Sequence, residues 1–202
     1  MTVRILIAED QTMVRQALVA LLELEPDIEV AAQAGSGDEA LAMARKHQVD
    51  VAVLDIEMPG GSGIEVARQL TGTGFTGKIV IVTTFGRPGY LRSAMAAGAS
   101  GFLLKDAPAA ELAAAIRRVA AGQRVVDPAL AADALAQGDS PLTDRESEVL
   151  RAAAGHEAIA VIAAGLHLSP GTVRNHLSAA IQKLGARNRA EAVGVAQRKG
   201  WL

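Results

Sequence analysis

Along the first 120 residues, short apolar runs alternate with stretches whose apolar residues recur every three or four positions. Ile5–Ala8, Val51–Leu54, Ile79–Val82 and Gly101–Leu104 have strand lengths and the near-continuous aliphatic character of strands buried on both faces. Glu29–Ala32, followed by Gln33, is a weaker strand candidate. Between the runs lie helical spacings, such as Val14, Leu18, Leu21 and Leu22, and two sequences of capping-box form, Ser36-x-x-Glu39 and Ser62-x-x-Glu65, that open further helices. Five strands alternating with five helices predict an α/β domain with a doubly wound five-stranded parallel sheet, because parallel neighbours need crossover connections. Ligands of such a sheet bind beyond the carboxyl ends of its strands.

Around residue 122 the pattern changes. Gly122-Gln123-Arg124 and Asp127-Pro128 break the last helix, Ala129–Gln137 suits a short helix, and Gly138-Asp139-Ser140-Pro141 is rich in turn formers. Beyond it the periodicity predicts helices over 143–154, 157–166, 170–184 and 188–199. The expected organisation is an α/β domain over 1–121, a linker over 122–140 and an all-α domain over 141–202.

Composition narrows the setting. A chain of 202 residues suits two small domains, and its core is aliphatic, with three Phe, one Trp and one Tyr. It contains no Cys, which excludes disulfides and thiolate metal sites. The first apolar stretch ends at Glu9-Asp10 and is too short for a signal peptide or membrane span, so the expected location is the cytoplasm, without a membrane partner. The net charge of -2 hides an asymmetry: residues 1–140 hold 12 Lys/Arg against 17 Asp/Glu, and residues 141–202 hold 8 against 5. A basic C-terminal part is a hint of a polyanionic partner at that end, although an ordinary solvated surface carries such a balance equally well.

Candidate chemistry gathers at the strand ends. The first strand runs into Glu9-Asp10, the third into Asp55 and Ile56-Glu57-Met58-Pro59-Gly60, the fourth into Thr83-Thr84, and the fifth into Lys105-Asp106. With these strands side by side, carboxylates, a hydroxyl and an ammonium converge on one crevice. Clustered carboxylates repel one another unless a cation neutralises them, and Mg²⁺ takes oxygen ligands and shares them with phosphate. A carboxylate beside Mg²⁺ can attack a phosphoryl group in line to give an acyl phosphate. Glu9-Asp10, Asp55, Met58-Pro59-Gly60, Thr83 and Leu104-Lys105, with 28 residues from Asp55 to Thr83 and 22 from Thr83 to Lys105, resemble the signature of response-regulator receiver domains, which have a flavodoxin-like fold. The resemblance implies that Asp55 accepts phosphate from a sensor histidine kinase. It further implies that Asp10 and Asp55 ligate Mg²⁺ with Glu9 assisting and the Glu57 carbonyl as a further ligand, that Thr83 hydrogen-bonds the phosphoryl group, and that Lys105 pairs with it. The Glu57 side chain either tunes dephosphorylation or points to solvent. One position departs from the pattern. Many receivers carry an aromatic hydroxyl three residues before the lysine, where this chain has Phe102, which can be buried but cannot donate a hydrogen bond.

In the second domain, Thr143-x-x-Glu146 has capping-box form and Ser169-Pro170 pairs an N-cap with proline at the first helical position. Along the helix that follows, Val173, Leu177, Ile181 and Leu184 form an apolar stripe opposite Gly171, Asn175, Ser178 and Gln182, with Arg174 on the flank. Short polar side chains with arginine beside them suit entry into a DNA major groove. Leu142-Thr143-x-Arg145-Glu146-x-Glu148-Val149-Leu150, with Leu168-Ser169-x-x-Thr172-Val173-x-x-His176 and Lys183-Leu184, resembles the LuxR/NarL-type helix-turn-helix. That likeness makes Arg174, Asn175 and Ser178 base-facing, and Thr172, His176 and Lys183 supports for phosphate contacts or packing. Here too there is a departure. The supporting helix of that family usually carries Glu-Ile-Ala after a glycine turn, whereas this chain reads Gly155-His156-Glu157-Ala158-Ile159-Ala160-Val161-Ile162-Ala163, so a buried structural ion pair is expected to be missing at Val161.

The two resemblances cover nearly the whole chain apart from the linker. They imply a two-component response regulator of the NarL/LuxR (FixJ) family: not an enzyme, but a transcriptional regulator that binds double-stranded promoter DNA and forms a homodimer when Asp55 is phosphorylated. Ala8-Glu9-Asp10-Gln11, Asp55–Gly60, Thr83-Thr84-Phe85-x-Arg87-Pro88-Gly89-Tyr90 and Lys199-Gly200-Trp201 resemble the subgroup regulating membrane-lipid desaturation. Two alternatives stand beside this reading. One is a constitutive DNA binder whose receiver serves only for dimerisation. The other is an aspartyl-phosphate phosphatase, since Asp55-Ile56-Glu57 is similar to the nucleophile motif of haloacid-dehalogenase-type enzymes, although no later acidic motif or cap follows Lys105.

Overall fold

A computed structural model describes residues 2–84, 88–136, 140–155 and 157–202. Phe85 and Arg87 of the subgroup stretch, Gln137 at the end of the expected short helix, Gly138-Asp139 of the turn-rich segment, and His156 lie outside the described residues. The chain divides into two compact units, Met1–Gly86 with Ala94–Ala131, and Arg87–Ser93 with Ala132–Leu202.

The first unit is built on strands β1 (Val3–Ala8), β2 (Ile28–Ala34), β3 (Val51–Asp55), β4 (Lys78–Thr83), β5 (Gly101–Leu104) and β6 (Val125–Val126). All pairs are parallel and the order is β2-β1-β3-β4-β5-β6. Helices α1 (Thr12–Leu22), α2 (Gly37–Lys46), α3 (Gly63–Gly72), α4 (Pro88–Ala96) and α5 (Ala109–Ala120) follow the first five strands in turn. Side chains alternate across a strand, so Ile5, Ile7, Val51, Val53, Val80, Val82 and Leu103 enter one core cluster with Leu22, Leu112, Ile116 and Val119. Their neighbours Leu6, Ala52, Leu54, Ile81 and Phe102 are equally buried on the other face. The apolar runs are continuous because both faces are covered.

Three expectations change. The sheet has six strands rather than five: Gly122, at φ 84°, turns the chain after α5 and lets the β-branched pair Val125–Val126 zip along β5, opposite Gly101 and Phe102. Two residues are too few to give a periodic signal, so this strand sat unseen in the expected linker. Leu21 does not join the inward stripe of α1. It is 45 % exposed, whereas Leu22 is buried and Leu18 packs on the core, because residues four apart share a helix face and adjacent ones do not. Ser36 caps α2 by accepting from Glu39 N–H, but the Glu39 carboxylate returns to Gly35 N–H rather than to the cap residue itself. The Ser62/Glu65 box opening α3 is complete.

The second unit carries a short helix α6 (Pro128–Ala136) at its boundary, then α7 (Asp144–Ala152) continued by a 3₁₀ turn (Ala153–Gly155), α8 (Ile159–Gly165), α9 (Pro170–Lys183) and α10 (Arg189–Lys199). Val149, Leu150, Ile162, Val173, Leu177, Ala180, Ala192 and Ala196 make its core. The full Thr143/Glu146 capping box starts α7, and Ser169 with Pro170 starts α9.

Candidate functional site

Strand order reverses between β1 and β3, so the crevice of this sheet opens beyond their carboxyl ends. Glu9 N–H donates to the Ala34 carbonyl at 3.0 Å, keeping the chain along β2 for one residue past β1. This turns Glu9 inward, 1 % exposed, and leaves Asp10 exposed. Asp55 ends β3 almost fully buried, its Oδ1 accepting from Ile56 N–H at 2.8 Å. Thr83 ends β4, also buried, and its carbonyl accepts from Lys105 N–H at 2.8 Å. That bond aims Lys105 across the crevice. Its Nζ lies 2.6 Å from Glu9 Oε2 and 2.9 Å from Asp55 Oδ2. Residues drawn from four strands thus meet as the alternating pattern predicts.

The electrostatics follow from burial. Loss of water pushes the Glu9 carboxyl above its usual range and the Asp55 charge adds to this, while Lys105 and Gln11 N–H pull partly back. Burial would lower Lys105, but hydrogen bonds to Glu9 and Asp55 together with their charges outweigh it and hold the ammonium above its ordinary value. Glu9, Asp10 and Asp55 each offer an oxygen, and these atoms lie within 4.8 Å of one another. One ammonium serves this oxygen-only donor set, which is the chemistry Mg²⁺ prefers. Glu57 is exposed and its carboxylate lies outside the cluster.

Two residues of this site carry no motif signal. Gly63, the first residue of α3, packs so closely that a Cβ there would sit 2.0 Å from the Asp55 carbonyl oxygen. In the sequence it looks like a turn glycine after a cap. Arg15, on α1, donates from its guanidinium to the Glu9 carbonyl and so ties the loop that presents Glu9 and Asp10. Phe102 is wholly buried on β5. The departure from an aromatic hydroxyl therefore leaves no buried polar group in need of a partner.

On α9, Arg174, Asn175, Ser178, Gly171 and Gln182 are exposed, and Val173, Leu177 and Ala180 are buried. Ile181 and Leu184 pack at the edge of the core. Thr172 is half-buried, its N–H donating to Ser169 Oγ at 3.0 Å and the two hydroxyls 2.8 Å apart. His176 is half-buried too. Lys183 is exposed, but its Nζ reaches to 2.7 Å from Oε2 of the buried Glu146. Val161 is 54 % exposed, so an acid at this position would face water, and the expected loss of a buried ion pair there does not occur. The buried carboxylate of this unit, among the described residues, is Glu146, and it has its cation. Among the described residues, no helix is long and apolar enough to cross a membrane.

Comparison with known proteins matches residues 5–117 to the response regulator receiver domain and residues 140–196 to the bacterial regulatory proteins of the luxR family. The chain is 48 % identical over 200 residues to the uncharacterized transcriptional regulatory protein YvfU of Bacillus subtilis (strain 168), covering 99 % of this chain and 100 % of that one. It is 47 % identical over 200 residues to the transcriptional regulatory protein DesR of the same organism, covering 99 % of each. Among solved structures it is similar to the response regulator ChrA of a heme-sensing two-component system, with a TM-score of 0.57 and 33 % identity over 100 % of this chain and 99 % of that one.

Proposed function

The chain belongs to the NarL/LuxR family of two-component response regulators, and from that membership we propose that Asp55 accepts a phosphoryl group from a sensor histidine kinase, after which two copies pair on promoter DNA. It is a phosphorylation-controlled, DNA-binding transcriptional regulator rather than an enzyme. The observation that carries the role of Asp55 is the Lys105 ammonium spanning Glu9 and Asp55 in a buried crevice with Asp10 beside them.

An Asp55 carboxylate oxygen attacks phosphorus as the donor's leaving group departs on the opposite side, and the product is an acyl phosphate carrying roughly two negative charges. Lys105 then moves from the carboxylates to the phosphoryl oxygens, and the Thr83 hydroxyl donates to another of them. Glu9, Asp10 and Asp55, with the backbone carbonyl of Glu57, would hold Mg²⁺, which supplies charge neutralisation when bound. Arg174, Asn175 and Ser178 face base edges, while Thr172 and His176 support them near the phosphates. Pairing two such modules matches a pseudo-palindromic site and multiplies affinity without any new contact within each copy. A cytoplasmic location belongs to the same reading.

Incubation with radiolabelled acetyl phosphate and Mg²⁺ tests the proposal. The wild-type chain should take up label and Asp55→Ala should not; label persisting on the variant sinks the assignment. Measuring DNA affinity with and without the phosphodonor separates a switched regulator from a constitutive binder.

A further inference from the structure

Lys183 closes the helix read here as the DNA-reading one, and its positive charge is already taken. A single oxygen of Glu146, Oε2, accepts both Thr143 N–H at 2.8 Å and Lys183 Nζ at 2.7 Å. Glu146 is 6 % exposed. This one carboxylate therefore ties the first turn of α7 to the last turn of α9. Arg174, exposed on α9 like Lys183, stands in contrast because, among the described residues, it has no carboxylate within ion-pair distance.

We propose that Glu146 is a positioning residue that withholds Lys183 from DNA, pinning the last turn of α9 and leaving Arg174 as the arginine or lysine of that helix free to meet a phosphate or base edge. The physical reason is an exchange that gains little. Moving Lys183 to a DNA phosphate trades one anion for another and strands the buried Glu146 carboxylate without its cation, although the lysine side chain itself is 37 % exposed; a buried carboxylate left uncompensated is costly. The Lys183 hydrogen bond also holds the Glu146 carboxyl below its usual range, consistent with a carboxylate that stays ionised. The proposal rests on α9 being the DNA-facing helix and goes further, because it removes a lysine from the set of contacts suggested by position alone.

The slope of log affinity against log salt counts phosphate contacts, changing by about 0.9 for each one on duplex DNA. The full-length chain, titrated with a short random-sequence duplex over a range of KCl, supplies the readout. Lys183→Met should leave the wild-type slope unchanged. Glu146→Gln keeps an oxygen for Thr143 N–H but frees the lysine, so its slope should steepen by about 0.9. The double variant should return to the wild-type slope. A purely structural role for the pair would alter stability without this pattern of slopes.

Flattening of the slope by about 0.9 in Lys183→Met, or an unchanged slope in Glu146→Gln, overturns the inference. Should either single variant fail to fold by circular dichroism, the double variant decides, since it leaves no unpaired buried charge and flattens only if Lys183 touches phosphate. A wild-type chain that does not bind the duplex removes the DNA-facing reading of α9 and this inference with it, whereas a bound duplex with a flattened slope removes this inference alone.

Discussion

The crevice of the receiver and the outer face of α9 are built on opposite principles. In the crevice, Glu9, Asp55 and Lys105 arrive from separate strands, lose most of their water and neutralise one another: Glu9 is 1 % exposed and the Lys105 side chain 10 %. On α9, Arg174, Asn175 and Ser178 come from a single helix, remain in water, and lie beside a core to which they contribute nothing. A site of the first kind is inseparable from the stability of its domain. A site of the second kind can change without the fold noticing. Ion pairs in the two units differ in the same sense, because the Lys105 pairs hold chemistry in place while the Lys183 pair holds a helix.

The largest effect that would sharpen this contrast comes from removing the crevice cation. Lys105→Met, in chelator, should cost about 3 kcal/mol of unfolding free energy, since Glu9 and Asp55 are left buried together without a partner. Added Mg²⁺ should restore more stability in the variant than in the wild type. Urea denaturation of the first unit measures both, and an unchanged midpoint would show that the crevice charges are decoupled from the fold. Gly63→Ala should come next. Its Cβ would meet the Asp55 carbonyl at 2.0 Å, so overpacking should cost about 1–3 kcal/mol and slow acetyl-phosphate labelling at the same time. Normal labelling on a destabilised chain would separate the two effects and break the comparison.

On α9, Asn175→Ala should leave stability within about 0.5 kcal/mol. Discrimination between duplexes selected by the phosphorylated protein and scrambled ones should fall by about 1–3 kcal/mol. Competition binding beside a thermal melt reports both quantities.

The smallest effect is a difference of sign with pH. Burial raises the folded-state pKa of Glu9 above its usual 4.5, so its contribution is present in full below that value and lost as pH rises through the folded pKa. Lys183 lowers that of Glu146, whose contribution is present in full above 4.5 and lost as pH falls through the folded pKa. In metal-free buffer, acidification should improve the wild type relative to Glu9→Gln and should erode its advantage over Glu146→Gln. Fluorescence of Trp201, the one tryptophan in the chain, follows the second unit, and amide exchange on β3 and β4 follows the first.

Much of this was legible in the residues. Strands buried on both faces announce themselves as unbroken aliphatic runs, and the acidic and basic residues that end them had to converge once those runs lay side by side. The Ser62/Glu65 and Thr143/Glu146 boxes and the Ser169-Pro170 start are local chemistry and formed where their spacing placed them. Other features left no local trace. Val125–Val126 is strand only because β5 offers an open edge. Gly63 matters because the β3–α3 loop folds back and brings the Asp55 carbonyl against it. Lys183 read as one more basic residue of a DNA-facing helix because Glu146, 37 residues earlier, is brought to it only by the packing of α7 on α9.

Periodicity, caps and strand-end residues were determined by the order of amino acids alone, since each depends on interactions within a few positions of the chain or on the parity of a strand. Which cation meets which carboxylate, how close a helix may come to the acceptor's backbone, and whether a basic side chain is free or occupied were decided only in the folded molecule. Those are distances between different elements of the fold, and packing sets them.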